Sequence, residues 1–72
     1  DGLLVDPSIP SDWPGYKVTR KFRNATYHIA VHNPDGVSRG VKSMTVDSKP
    51  LPGNVIPIFA DGHTHIVEIL MG

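Results

Sequence analysis

The sequence predicts an all-β fold: a small antiparallel β-sandwich, jelly-roll-like or a partly open barrel, of six to seven short strands. Three observations carry that prediction. Residues 16–36 hold two consecutive segments of strand-type alternation, closed by an Asn-Pro-Asp-Gly turn signal. Seven prolines and seven glycines cut the chain into pieces too short for a stable helix of about 12 residues. Turn signals recur every ~8–12 residues, the spacing of sandwiches and barrels.

Taken in order, an opening strand over residues 3–6 gives way to an irregular stretch, 7–15, where Pro7, Pro10 and Pro14 forbid regular ladder pairing. In the next strand Tyr16, Val18 and Phe22 share one face with Arg20, and Lys17, Thr19, Lys21 and Arg23 share the other. One face is core and the other solvated. After Asn24-Ala25, residues 26–32 set Tyr27, Ile29 and Val31 against Thr26, His28, Ala30 and His32, the pattern of a half-buried antiparallel strand. In the turn that follows, Pro34 presets φ and Gly36 takes a position where positive φ is expected. A strand over residues 41–46 is joined by Asp47-Ser48 to a short return edge, 49–51.

Asp61-Gly62, between residues 55–60 and 63–71, predicts a hairpin with a two-residue loop. In that register Ala60 faces His63, Ile58 faces His65 and Ile56 faces Val67. Ile56, Ile58, Val67 and Ile69 are then core. Pro57 falls on the other face and, lacking an N–H, marks an edge strand or a bulge.

Size and charge bound the function. The 72 residues form one domain, 1–72, with 1–15 as an irregular connector and 16–72 as the β core. A domain this small buries roughly 60% of its unfolded surface, and with no cysteine it has neither a disulfide nor a thiolate nucleophile. Seven basic and seven acidic side chains cancel, which argues against nucleic-acid partners and direct membrane contact. No apolar run approaches the ~20 residues needed to span a bilayer. The chain begins Asp1-Gly2 and ends on strand-type Ile69-Leu70-Met71, and we read it as a soluble, excised carboxy-terminal piece.

The reactive side chains do not assemble into a site on paper. His63 and His65, two apart on one strand face, lie about 7 Å from each other and would start a zinc site, but such a site wants three or four ligands. His28 and His32, four apart on a strand, are more than ~13 Å apart. These histidines read as strand-surface residues, with no metal and no cofactor. Asp35, Asp47 and Asp61 sit in turns, where aspartate bonds the local backbone, and Glu68 has no visible partner. Serines 8, 11, 38, 43 and 48 lack a G-x-S-x-G elbow. Among the aromatic rings, most are needed for the core, which leaves Trp13 as the candidate exposed ring for carbohydrate. Arg20, Lys21 and Arg23 read as a solvated face or as salt-bridge donors to a neighbouring domain. Asn24-Ala25-Thr26 matches a glycosylation triplet, which carries no weight here.

Three segments carry a resemblance: D-P-x-I-P-x-x-W at Asp6 to Trp13, V-T-R-K-F-R-x-A-T-Y at Val18 to Tyr27, and N-P-D-G-V-S-R-G-V at Asn33 to Val41. In this order and spacing, essentially the whole chain resembles the extreme carboxy-terminal domain of the inverting disaccharide phosphorylases (cellobiose, cellodextrin and chitobiose phosphorylase) together with cyclic β-1,2-glucan synthase. Two positions depart from the family pattern: Ser8, where cysteine is common, and Ser48, where glycine usually follows the aspartate.

The resemblance implies a large enzyme that cleaves or forms a β-glucosidic bond with phosphate and inversion, its catalytic acid and phosphate-binding residues lying in an (α/α) barrel that precedes this domain. None of those motifs occurs in the 72 residues, so no catalytic residue is carried over. The expected role is a non-catalytic domain that packs on the preceding helical catalytic domain, with Leu4, Val5, Ile9, Trp13 and Tyr16 as the candidate inter-domain contact. An autonomous carbohydrate-binding module, using Trp13, is the alternative. The expected location is cytoplasmic, or inner-membrane-associated if the parent is a glucan synthase.

Overall fold

A computed structural model describes residues 2–57, 59 and 61–72. These form seven strands: β1 (Gly2–Leu4), β2 (Gly15–Phe22), β3 (Ala25–His32), β4 (Val41–Val46), β5 (Lys49–Leu51), β6 (Val55–Pro57) and β7 (Thr64–Met71). The fold is all-β, as the alternation predicts. A five-stranded sheet runs in the order β2-β3-β7-β4-β5, and β1 and β6 make a separate two-stranded sheet.

Two tight turns set the register. Arg23 and Asn24, at φ 52° and 65°, connect β2 to β3 with Phe22 opposite Ala25. The turn falls one residue earlier than Asn24-Ala25. Asp47 and Ser48, at φ 50° and 70°, join β4 to β5 with Val46 opposite Lys49. Positive φ at both central residues is the hairpin turn whose twist matches that of the flanking strands. Gly15 opens β2 at φ 146°, and a Cβ there would lie 2.0 Å from the carbonyl oxygen of Val31, so this position accepts no side chain.

The predicted hairpin between residues 55–60 and 63–71 does not form. β6 pairs with β1, placing Ile56 opposite Leu3, while β7 inserts between β3 and β4, antiparallel to β4 but parallel to β3. It is the one parallel pairing between these strands. The expected partners Ile58 and Ala60 lie outside the described residues. Asp61-Gly62 is instead the corner at which the chain crosses from the small sheet to the large one. There the Gly62 N–H donates to the Asn24 carbonyl (2.8 Å), and the Thr26 N–H donates to that of His63 (3.0 Å), which seats β7 beside β3. The period of two specifies which face a strand buries; it carries nothing about which strand lies next to it. Ile56, Val67 and Ile69 are accordingly core, as expected, in a different pairing.

One apolar core joins the sheets. Leu3 and Ile56 from the small sheet, with Val5 and Ile9 from the segment after β1, meet Tyr27, Ile29, Val31, Met44, Val46, Val67, Ile69 and Met71. Backbone bonds from Val5 N–H to Asn54 and from Ile9 N–H to Ser38 hold the proline-rich segment against it. Coverage fades toward β2: Tyr16 and Phe22 are half-buried, but Val18 and Arg20, between them on the same face, are exposed.

Candidate functional site

The densest polar cluster is centred on His65. Its position in β7 is in phase with Val67, Ile69 and Met71, so the alternation turns the imidazole inward, and it is buried. Nδ1 lies 2.6 Å from Asp47 Oδ2, in the β4–β5 turn, and Nε2 lies 2.9 Å and 3.1 Å from the two oxygens of Asp61. Asp47 also accepts the Ile66 N–H (2.9 Å), and Asp61 accepts the His63 N–H (2.9 Å). The Phe59 ring stacks on the imidazole at 4.0 Å and 19°, with Tyr27 on it at 5.9 Å.

A neutral imidazole has one N–H, whereas both nitrogens here face carboxylates; imidazolium alone satisfies both. The equilibria shift accordingly. Hydrogen bonding to Asp47, then to Asp61, raises the His65 pKa above its ordinary 6.5 against the opposing effect of burial. Asp47 is held below its ordinary 3.8 by His65 and the Ile66 N–H, and Asp61 is held below it by the His63 N–H and then by His65. With both nitrogens committed, this histidine has none left to take a substrate proton or ligate a metal. Its reading as a strand-surface residue is corrected. The signal was present in the core-side alternation of β7; what was not legible was that Asp47 and Asp61, from two separate turns, converge on it.

The other histidines pair locally. His28 Nδ1 meets Thr19 Oγ1 at 2.9 Å across β2–β3, and His32 Nε2 meets Glu68 Oε1 at 3.3 Å across β3–β7, all exposed. The sequence offered Glu68 no partner; the parallel pairing supplies one. Among the described residues no three metal-ligating side chains are arranged to hold an ion, and no helix is long and apolar enough to cross a membrane. The ion pairs among the described residues are those of His32 and His65, so Lys17, Arg20, Lys21 and Arg23 meet no carboxylate within 4.0 Å there.

Asn33 is a second polar hub. Buried at the end of β3, it donates from Nδ2 to the carbonyls of Trp13 (3.0 Å) and Val37 (2.7 Å), and its Oδ1 accepts the Val37 N–H (3.0 Å). Its own N–H donates to the Pro14 carbonyl (2.7 Å). This side chain locks the connector to the turn after β3. It also fixes the backbone of Trp13, a residue 49% exposed in a shallow trough beside Asp12, Pro14, His32 and Pro34.

The candidate contact residues divide. Leu4 (62% exposed) and Trp13 face outward, Val5 and Ile9 are turned into the core, and Tyr16 is half-buried at its edge.

Fold and clusters together define a small β-sandwich module whose buried polar side chains, among the described residues, are all partnered within it. No known family model matches the chain. It is 56% identical to N,N'-diacetylchitobiose phosphorylase of Vibrio proteolyticus over 99% of its own length, 44% identical to that of Vibrio furnissii over 100%, and 39% identical to solabiose phosphorylase of Paenibacillus borealis over 99%. In each case the chain spans 9% of the phosphorylase's length. The chain belongs to the disaccharide phosphorylase family, as its carboxy-terminal domain.

Proposed function

We propose that the chain is a non-catalytic domain of a glycoside phosphorylase, or of a cyclic β-1,2-glucan synthase, that packs on the (α/α) barrel catalytic domain preceding it and stabilises the enzyme. One observation carries the reading: the whole chain matches the phosphorylases, yet it accounts for 9% of their length, and its most perturbed groups are spent on its own scaffold. The exposed Leu4 and Trp13 on the connector side supply the apolar surface that docking requires.

The test removes residues 1–72 from the longer polypeptide. The expected result is a lower Tm and loss of soluble protein, with the 72-residue chain alone showing no phosphorolysis of cellobiose or chitobiose. Unchanged Tm in the deletion overturns the stabilising role, and sugar phosphate released by the isolated chain overturns the non-catalytic one.

The half-exposed Trp13 favours a second reading, an autonomous carbohydrate-binding module. It predicts that millimolar cellobiose or β-glucan perturbs the fluorescence of this sole tryptophan; a flat titration eliminates it.

A further inference from the structure

Two features of the surface meet at one groove. In the β1–β6 sheet Leu3 and Ile56 face each other in register and are buried, so their neighbours Gly2, Leu4, Val55 and Pro57 make the outward face. That face has no polar side chain, and Leu4 is 62% and Val55 45% exposed. A solvated antiparallel face carries polar residues, as the outward face of the five-stranded sheet does with Lys17, Thr19, His28, His32 and Glu68.

The second feature is the uncovered part of β2. Tyr16, Val18, Arg20 and Phe22 are in register with the buried Val31, Ile29, Tyr27 and Ala25, which places them on the core side. Val18 is nevertheless 39% exposed and Arg20 is exposed, because the small sheet stops short of β2. Leu4 and Val18 line one groove of about 300 Å³ with Asp6, Tyr16, Arg20 and Ile29.

We propose that this groove and the outward face of the β1–β6 sheet form one docking surface, and that its occupant is the larger remaining part of the same polypeptide. The inference rests on the reading above, and it moves the contact from the proline-rich connector to Leu4, Val18 and Val55. The length of the relatives supports the choice of occupant: about ten-elevenths of a phosphorylase chain lies outside these residues, from the 9% share, and interfaces within a chain bury ~600–1,500 Å². Arg20 on the groove wall, with no carboxylate within 4.0 Å among the described residues, sets the chemistry: apolar side chains enter the groove and a carboxylate meets the guanidinium. A second copy about a two-fold axis, in which the patch faces itself, would bring Asp6 and Arg20 of this groove together across the pair, and is the competing occupant that the experiment separates.

The experiment uses the longer polypeptide, with Leu4→Asp, Val18→Asp and Val55→Asp on the proposed surface and Ile66→Asp, also exposed, on the opposite sheet face as control. Proteolytic release of the β-domain follows the open population, and the proposed-surface variants are expected to raise it by about tenfold or more, with Ile66→Asp unchanged. Should an aspartate unfold the strand, Val55→Thr keeps the shape and still places a hydroxyl on the surface. Faster release with Ile66→Asp alone, or no response to any variant, overturns the surface while leaving the domain attached. A wild-type β-domain released as readily as an unattached segment overturns the underlying reading instead. A concentration-dependent dimer of the 72-residue chain that Leu4→Asp dissolves assigns the surface to a second copy, against the proposal.

Discussion

His65 illustrates how one buried side chain can tie three segments that are remote in sequence. The β4–β5 turn, the corner before β7 and β7 itself converge on its ring, and protonation is what lets both contacts be hydrogen bonds. Because its folded pKa is raised, its stabilisation is complete below the ordinary 6.5 and fades as pH rises through the folded value. Asp47 and Asp61 behave oppositely: their folded values are lowered, so their contribution is complete above 3.8 and fades as pH falls through the folded values. The chain should therefore be most stable between these two ordinary values, and His65→Gln should flatten the alkaline limb of a Tm-against-pH curve. An unchanged alkaline limb would contradict the doubly protonated ring. At the other hub, Asn33→Ala strips three part-buried side-chain hydrogen bonds and should cost about 1–3 kcal/mol, read as a fall in Tm of ~4–8 °C per kcal/mol, while freeing the Trp13 backbone. Asn33 was legible as a turn residue; its reach back to Trp13 was not, because the connector's path is set by tertiary packing.

Among the elements, local signals and long-range pairing separate cleanly. β2, β3, β4 and β5 follow from alternation and two-residue turns, whose partners lie a few residues away. β7 defeats that logic: Asp61-Gly62 carries a hairpin signal, yet the strand before it is taken by β1 and the strand after it by β3 and β4. Nothing local encodes a parallel neighbour more than thirty residues distant, as in Thr26 opposite Thr64. Two element-scale predictions follow from backbone geometry. Ser48, at φ 70°, occupies a position that costs a non-glycine residue ~1 kcal/mol. After allowing for glycine's extra freedom in the unfolded chain, Ser48→Gly should gain on the order of 0.5 kcal/mol, seen as a higher denaturant midpoint with unchanged m-value. Gly15→Ala drives a methyl into the Val31 carbonyl at positive φ and should detach the start of β2, measured as loss of amide protection in Tyr16 and Val31, which face each other in the β2–β3 ladder.

For the molecule as a whole, a self-contained core is joined to an incomplete surface. Among the described residues the buried polar side chains are all partnered, whereas the β1–β6 sheet presents an apolar exterior and leaves β2 partly uncovered. The sequence reading placed the contact on the connector because Trp13 and the apolar residues around it cluster there. The fold buries Val5 and Ile9 and brings Val55 and Val18 into the neighbourhood of Leu4, a rearrangement visible once strand partners are known. The most direct measurement is calorimetric unfolding of the 72-residue chain alone and within the longer polypeptide, with Trp13 emission followed in the isolated chain. The account predicts that the β-domain melts together with the rest of the polypeptide, at a temperature above that of the isolated chain. A separate β-domain transition at the same temperature in both would contradict it.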